Sequence, residues 1–205
     1  GKLGNIVADA ILNGLLPEYE LVGVYSRTHS KAQALADKME DKGKICKVAN
    51  TMEELLQLQP NYLVEAASPA AMREWALPTL QRGISIVTLS IGAFANDDFY
   101  TKVMQIATKN GVKVYIVSGA TGGFDVLQTT ALMGGATAKF FNKKGPDALR
   151  NTAVYNESLQ TEERIVFQGT ASEAIEMFPT KVNVTVAASR ASVGPQQMQV
   201  PMQST

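Results

Sequence analysis

Val114-Tyr115-Ile116-Val117-Ser118-Gly119-Ala120-Thr121-Gly122-Gly123-Phe124-Asp125 separates two kinds of sequence. Before it, short apolar runs alternate with helical patterns. After it, the composition changes and the periodicity becomes mixed. An apolar run that reads as a strand ends in three glycines and two small hydroxylated residues. Glycine permits positive φ and close backbone approach. Free N–H groups at a following helix start attract anions. The stretch therefore reads either as a ligand-lined bend or as an ordinary strand-to-helix loop.

Working back from it, the strand signals are Glu20-Leu21-Val22-Gly23-Val24-Tyr25, Ile45 to Val48, Tyr62-Leu63-Val64, Ile84-Ser85-Ile86-Val87-Thr88-Leu89 and the run ending at Val117. Between them lie helical patterns. One has apolar residues at 3, 6, 7, 10 and 11, and another opens at Ser30. A third starts at Pro69 after Ser68, and a fourth covers about residues 97–110, with Gly111 just past its end. Strands alternating with helices in short repeats pack as a parallel sheet. The expected class is α/β, a Rossmann-type doubly wound parallel sheet over residues 1–118. A smaller α+β domain is expected over 119–205, closing over a cofactor.

The start of the chain carries half of a phosphate-binding fingerprint. Gly1-Lys2-Leu3-Gly4 opens a helix, and a strand follows some twenty residues on, the spacing of a dinucleotide-binding unit. Gly1 and Gly4 would be the second and third glycines of G-x-G-x-x-G. The first strand and glycine would lie ahead of Gly1, and both termini are expected to be truncated. A plain helix N-terminus would look the same.

The end of the next strand bears on cofactor choice. NAD-specific sites place an acidic residue there. Here the position holds Ser26-Arg27-Thr28 and no carboxylate. An arginine flanked by hydroxyls suits a 2′-phosphate, so NADP is expected in preference to NAD. A solvated surface arginine is the alternative. His29, the single histidine, reads as a surface residue. Ala66, Ala67 and Ser68 end another strand on small side chains. They leave room for a nicotinamide ring or merely for tight strand–helix packing.

Beyond the bend, residues 125–133 read as helix and 139–144 as an amphipathic strand. Residues 163–169 read as a second strand. Thr170 and Glu173 form a capping box, and the run at 198–202 is a last strand.

Bulk properties exclude other classes. The 205 residues carry 19 basic and 19 acidic side chains, so no nucleic acid or charged surface is expected to be held by net charge. One cysteine excludes an internal disulfide and fits a reducing, cytoplasmic setting. No run is apolar enough to read as a membrane span. No metal-ligand set is apparent.

Several stretches together resemble the L-aspartate dehydrogenase family, homoserine-dehydrogenase-like oxidoreductases. They are Gly1-Lys2-Leu3-Gly4, Glu65-Ala66-Ala67-Ser68-Pro69, Leu89-Ser90-Ile91-Gly92-Ala93, the bend at 118–125, Phe167-Gln168-Gly169-Thr170-Ala171 and Phe178-Pro179-Thr180-Lys181-Val182-Asn183-Val184. The resemblance implies NAD(P)-dependent oxidation of L-aspartate to iminosuccinate, which hydrolyses to oxaloacetate or feeds pyridine-nucleotide synthesis. It implies nicotinamide contacts at Ala120 and Asn183. Substrate contacts are expected from Ser118, Gly119, Thr121, Gly122, Gly123 and Lys144. The family's catalytic histidine would fall beyond Thr205. A homodimer or higher homo-oligomer is expected. The rival readings are an NADPH-dependent imine reductase resembling dihydrodipicolinate reductase and a non-catalytic dinucleotide-binding paralogue.

Overall fold

The computed structural model describes residues 1–119, 121–179 and 181–205. The chain forms two compact units. The first comprises Gly1–Leu89 and Thr101–Tyr115, the second Ser90–Tyr100 and Ile116–Thr205. The excursion Ser90–Tyr100 thus folds with the second unit.

The first unit begins with α1 (Lys2–Leu12), followed by β1 (Gly23–Tyr25), α2 (His29–Glu40), β2 (Lys47–Ala49) and α3 (Met52–Gln57). It continues through β3 (Tyr62–Glu65), α4 (Pro69–Gln81) and β4 (Ser85–Thr88) to α5 (Asp97–Lys109) and β5 (Val114–Ile116). Local chemistry sets the helix starts. The Thr51 hydroxyl accepts the Glu54 N–H and caps α3, and the Ser68 hydroxyl accepts the Ala71 N–H and caps α4, with Pro69 at its first position.

The parallel pairing expected from the alternation is present. β1 lies parallel to β2 and β3 parallel to β4, with β5 beyond β4. The strands fall into two sheets rather than one, because no strand among the described residues bridges β1 and β3. Ala49, Leu55, Leu56, Leu63 and Ile84 form a core between strands and α3. Gly23 packs closely there: an added Cβ would lie 2.5 Å from Leu58 Cδ1 and 3.0 Å from Leu55 Cδ1, so the leucine ends would have to shift.

In the second unit a 3-10 turn, Ile91–Ala95, is followed after the bend by α6 (Phe124–Leu132), β6 (Asn142–Lys144) and α7 (Pro146–Leu149). A 3-10 turn (Glu157–Gln160), β7 (Arg164–Thr170), α8 (Ala171–Met177), α9 (Asn183–Arg190) and β8 (Gln199–Ser204) complete it. The sheet order is β6-β8-β7, with β6 parallel and β7 antiparallel to β8, and a register shift between Ile165 and Phe167. This is the α+β build expected of the second half. The capping box at Thr170 and Glu173 forms as read from the sequence.

The strand expected over 139–144 is shorter. Only Asn142–Lys144 pairs continuously, while Lys139 makes an isolated bridge to Gln199. Phe140 is drawn into the cluster of Ala171, Ala174, Ala188, Met198 and Val200. Phe141 stays exposed. The side-chain alternation persists where the hydrogen-bond ladder is broken.

Candidate functional site

The N-terminal end of α9 gathers several parts of the second unit. Asn183 is its first residue, and its Oδ1 accepts the Gly92 N–H at 2.8 Å. That bond ties α9 to the 3-10 turn Ile91–Ala95. It also fixes which end of the carboxamide remains available: Oδ1 is engaged, so the Nδ2 donors face away from Gly92. At the other end of α9, Arg190 reinforces the same contact. Its Nε donates to the Phe94 carbonyl at 2.7 Å, and its guanidinium lies 4.3 Å from the Tyr100 ring centroid. Its Nη2 pairs with Asp97 Oδ1 at 2.6 Å as an ion pair without hydrogen-bond alignment. Two contacts seven residues apart along one helix therefore hold the turn, one on an N–H and one on a carbonyl.

The bend at 118–123 joins this site through Gly119. Its φ of +67° favours glycine, and a Cβ there would sit 3.0 Å from Val184 Cγ2. Gly123 also has positive φ, +75°, and caps α6. Ser118 and Gly122 are exposed and Thr121 is half-buried. Ala120 lies outside the described residues. Lys144, at the end of β6, is half-buried. Burial pushes its amine below the usual lysine range, and the charge of Lys181 pushes it further.

The residues expected to hold a dinucleotide lie in the first unit. Gly1 precedes α1 and Gly4 lies in its first turn. A Cβ at either would meet no protein atom within 4 Å, so no neighbour in the chain demands glycine there. No side chain caps α1 and no acid occupies its first turn. Its leading N–H groups, with Lys2 and Leu3 exposed beside them, suit an anionic group. The Ser26-Arg27-Thr28 loop links β1 to α2. Ser26 Oγ accepts the Thr28 N–H at 3.3 Å, and Arg27 is exposed. Among the described residues Arg27 makes no ion pair.

The loop after β3 is more constrained than its small side chains suggest. Glu65 is buried, and its Oε1 accepts the N–H groups of Ala67 at 2.8 Å and Ser68 at 3.0 Å. Its Oε2 accepts the Thr88 hydroxyl at 2.8 Å. The backbone donors of Ala67 and Ser68 are thus engaged by Glu65. What the loop offers a ligand is the methyl surface of Ala66 and Ala67.

Sequence reasoning missed Glu65, Gly92 and Arg190. A signal existed for Glu65, an acid closing an apolar strand just before small residues. Gly92 donates its own backbone N–H to a distant side chain and Arg190 donates to a distant backbone carbonyl, pairings that leave no local signature.

Residues 1–117 match the family described as homoserine dehydrogenase, NAD binding domain, and residues 125–204 match aspartate dehydrogenase, C-terminal. A parallel α/β nucleotide-binding unit joined to this α+β unit defines an oxidoreductase that uses a nicotinamide cofactor. L-Aspartate dehydrogenase of Methanococcus maripaludis is 30% identical over 204 residues, 98% of this chain and 74% of that protein. L-Aspartate dehydrogenase of Methanosarcina mazei is 32% identical over 199 residues, 95% of this chain and 72% of that protein. The chain belongs to the L-aspartate dehydrogenase family. Its fold is similar to that of aspartate dehydrogenase from Thermotoga maritima. The TM-score is 0.66 at 20% identity, over 91% of this chain and 79% of that one.

Proposed function

We propose that this chain oxidises L-aspartate at Cα to iminosuccinate, with NADP favoured over NAD. The similarity to L-aspartate dehydrogenases across 98% of the chain carries the reading. Gly1 to Gly4 at the uncapped start of α1 would hold a pyrophosphate, and Arg27 with Ser26 and Thr28 a 2′-phosphate. Ala66 and Ala67 would border the nicotinamide ring, and Ser68 holds the start of α4 behind them. The bound cofactor supplies the two-electron acceptor for the substrate Cα–H.

The protein's own contribution is orientation. Asn183, its oxygen held by Gly92, presents amide donors to a carboxamide or carboxylate oxygen. Gly119, Gly122 and Gly123 keep side chains off the bend, with Ser118 and Thr121 as the hydroxyl donors of the same loop. Lys144 would supply charge to a substrate carboxylate. Oxidation needs the substrate amine neutral. No histidine follows His29 in this sequence, and His29 stands exposed at the start of α2, so it is not assigned as the proton acceptor.

The test is steady-state turnover with L-aspartate, L-homoserine, L-alanine and a cyclic imine, each with NADP(H) and NAD(H). Highest kcat/KM with L-aspartate and NADP is expected. Turnover of the cyclic imine without any of L-aspartate would overturn the reading.

A further inference from the structure

Strand β3 alternates exposed and buried side chains, with Tyr62 and Val64 facing out and Leu63 and Glu65 facing in. An acid thus takes a core-facing position, in register with Thr88 of β4, which is fully buried. Both of its oxygens are engaged. Oε1 accepts the N–H groups of Ala67 and Ser68, and Oε2 accepts the Thr88 hydroxyl. Accepting at both oxygens is the role of the ionised acid.

Those bonds by themselves do not call for a charge. A glutamine has the same shape: its oxygen would accept from Ala67 and Ser68, and its amide would donate to the Thr88 oxygen. Burying a charge costs more than burying an amide. A negative charge nonetheless stands at the C-terminal end of β3, directly before Ala66 and Ala67. In an open parallel sheet that end of the strands borders the ligand crevice. A nicotinamide ring is cationic when oxidised and neutral once it has accepted a hydride. A fixed negative charge beside its site therefore tells the two forms apart.

We infer that the Glu65 carboxylate sets the redox preference of the cofactor site, favouring the oxidised over the reduced nicotinamide. The bonds from Ala67, Ser68 and Thr88 hold that charge in place. This role rests on the nicotinamide reading of Ala66 and Ala67 and adds to it a residue that acts through its charge.

The experiment is fluorescence titration of the whole chain with NADP, with NADPH and with adenosine 2′,5′-bisphosphate, a fragment that lacks the nicotinamide. Glu65→Gln should weaken NADP by about fivefold or more relative to NADPH, the effect of one charge–charge interaction in a partly buried setting. Its affinity for the adenosine bisphosphate should not change. Thr88→Val keeps the charge and loses one bond, so its ratio of NADP to NADPH affinity should match the wild type. So should that of Glu53→Gln, which removes an exposed acid paired with Arg82. An unchanged ratio in Glu65→Gln overturns the inference. So does an equal loss of both cofactors, the mark of a loop that is only structural. Where Glu65→Gln does not fold, Thr88→Val decides: a wild-type ratio supports the charge, and a shifted one overturns it. The same shift read with NAD and NADH keeps the inference and overturns only the preference for NADP. The shift without aspartate turnover overturns only the aspartate reading.

Discussion

Asn183 and Gly92 are 91 residues apart in sequence, yet the carboxamide oxygen of one accepts the backbone N–H of the other at 2.8 Å. The bond makes Asn183 both a structural tie and an oriented donor. Asn183→Asp keeps an acceptor for Gly92 and loses the amide donors. Thermal stability should stay within a few degrees of wild type while kcat/KM falls at least about tenfold, the effect of losing one well-placed hydrogen bond. Asn183→Ala should lower both, since it leaves the Gly92 N–H unpaired at a cost of about 1–3 kcal/mol. Wild-type kcat/KM in Asn183→Asp would remove the donor role.

Arg190 makes the same turn depend on the far end of α9. Its side chain is only 12% exposed and holds the Phe94 carbonyl, Asp97 and the Tyr100 ring. Arg190→Met should destabilise the fold by about 2 kcal/mol, the range for a hydrogen bond to a charged group. Arg190→Lys should recover little, because an ammonium lacks the planar fork. Urea unfolding measures this, and a lysine variant as stable as wild type would contradict it.

Glu65 closes the loop after β3 by accepting from Ala67, Ser68 and Thr88. Glu65→Ala removes the acceptor that the part-buried loop N–H groups and the buried Thr88 hydroxyl share, and a loss of about 2–4 kcal/mol is expected from several lost bonds together. Glu65→Gln retains an acceptor and should lose less. Equal stability of the two variants in chemical denaturation would show that the loop does not depend on these bonds.

Arg27 is exposed and without an ion pair among the described residues. If it meets a 2′-phosphate, Arg27→Ala weakens NADPH by about tenfold or more and leaves NADH nearly unchanged. Titration of both cofactors by protein fluorescence decides this. Unchanged NADPH affinity would free Arg27 of the role.

Lys144 has an amine held below the usual lysine range, first by burial and then by Lys181. The unfolded chain therefore holds that proton to higher pH than the folded one. The charged amine opposes folding below its folded pKa, and the penalty fades as pH rises towards the unfolded lysine value. Lys144→Met should keep or raise Tm at neutral pH and flatten its rise at alkaline pH. A Tm lowered equally at every pH would mean that the lysine contributes packing alone. A stabilised variant with weakened substrate binding would fit a group retained for function.

The hydroxyls at Thr51, Ser68 and Thr170 cap helices because each bonds a donor three residues on, a distance the spacing itself dictates. The alternation of β-branched runs with helical periods was enough for parallel strand pairing in the first half and an α+β build in the second. The glycines of the bend were visible, and Gly119 needs its positive φ. The reason for its closeness to Val184 was not visible, since that contact joins segments far apart in the chain.

Sequence by itself thus determined the strand–helix alternation of the first half, the Thr170–Glu173 capping box and the family, because these rest on short-range bonding and on residue identities. Tertiary structure alone decided that Gly92 orients Asn183, that Phe94 receives Arg190, and that Lys144 stands opposite Ser204. Each is a pairing between segments brought together by packing. Their partners are backbone groups common to every residue, or a register set by strand pairing, so no residue type along the chain announces them.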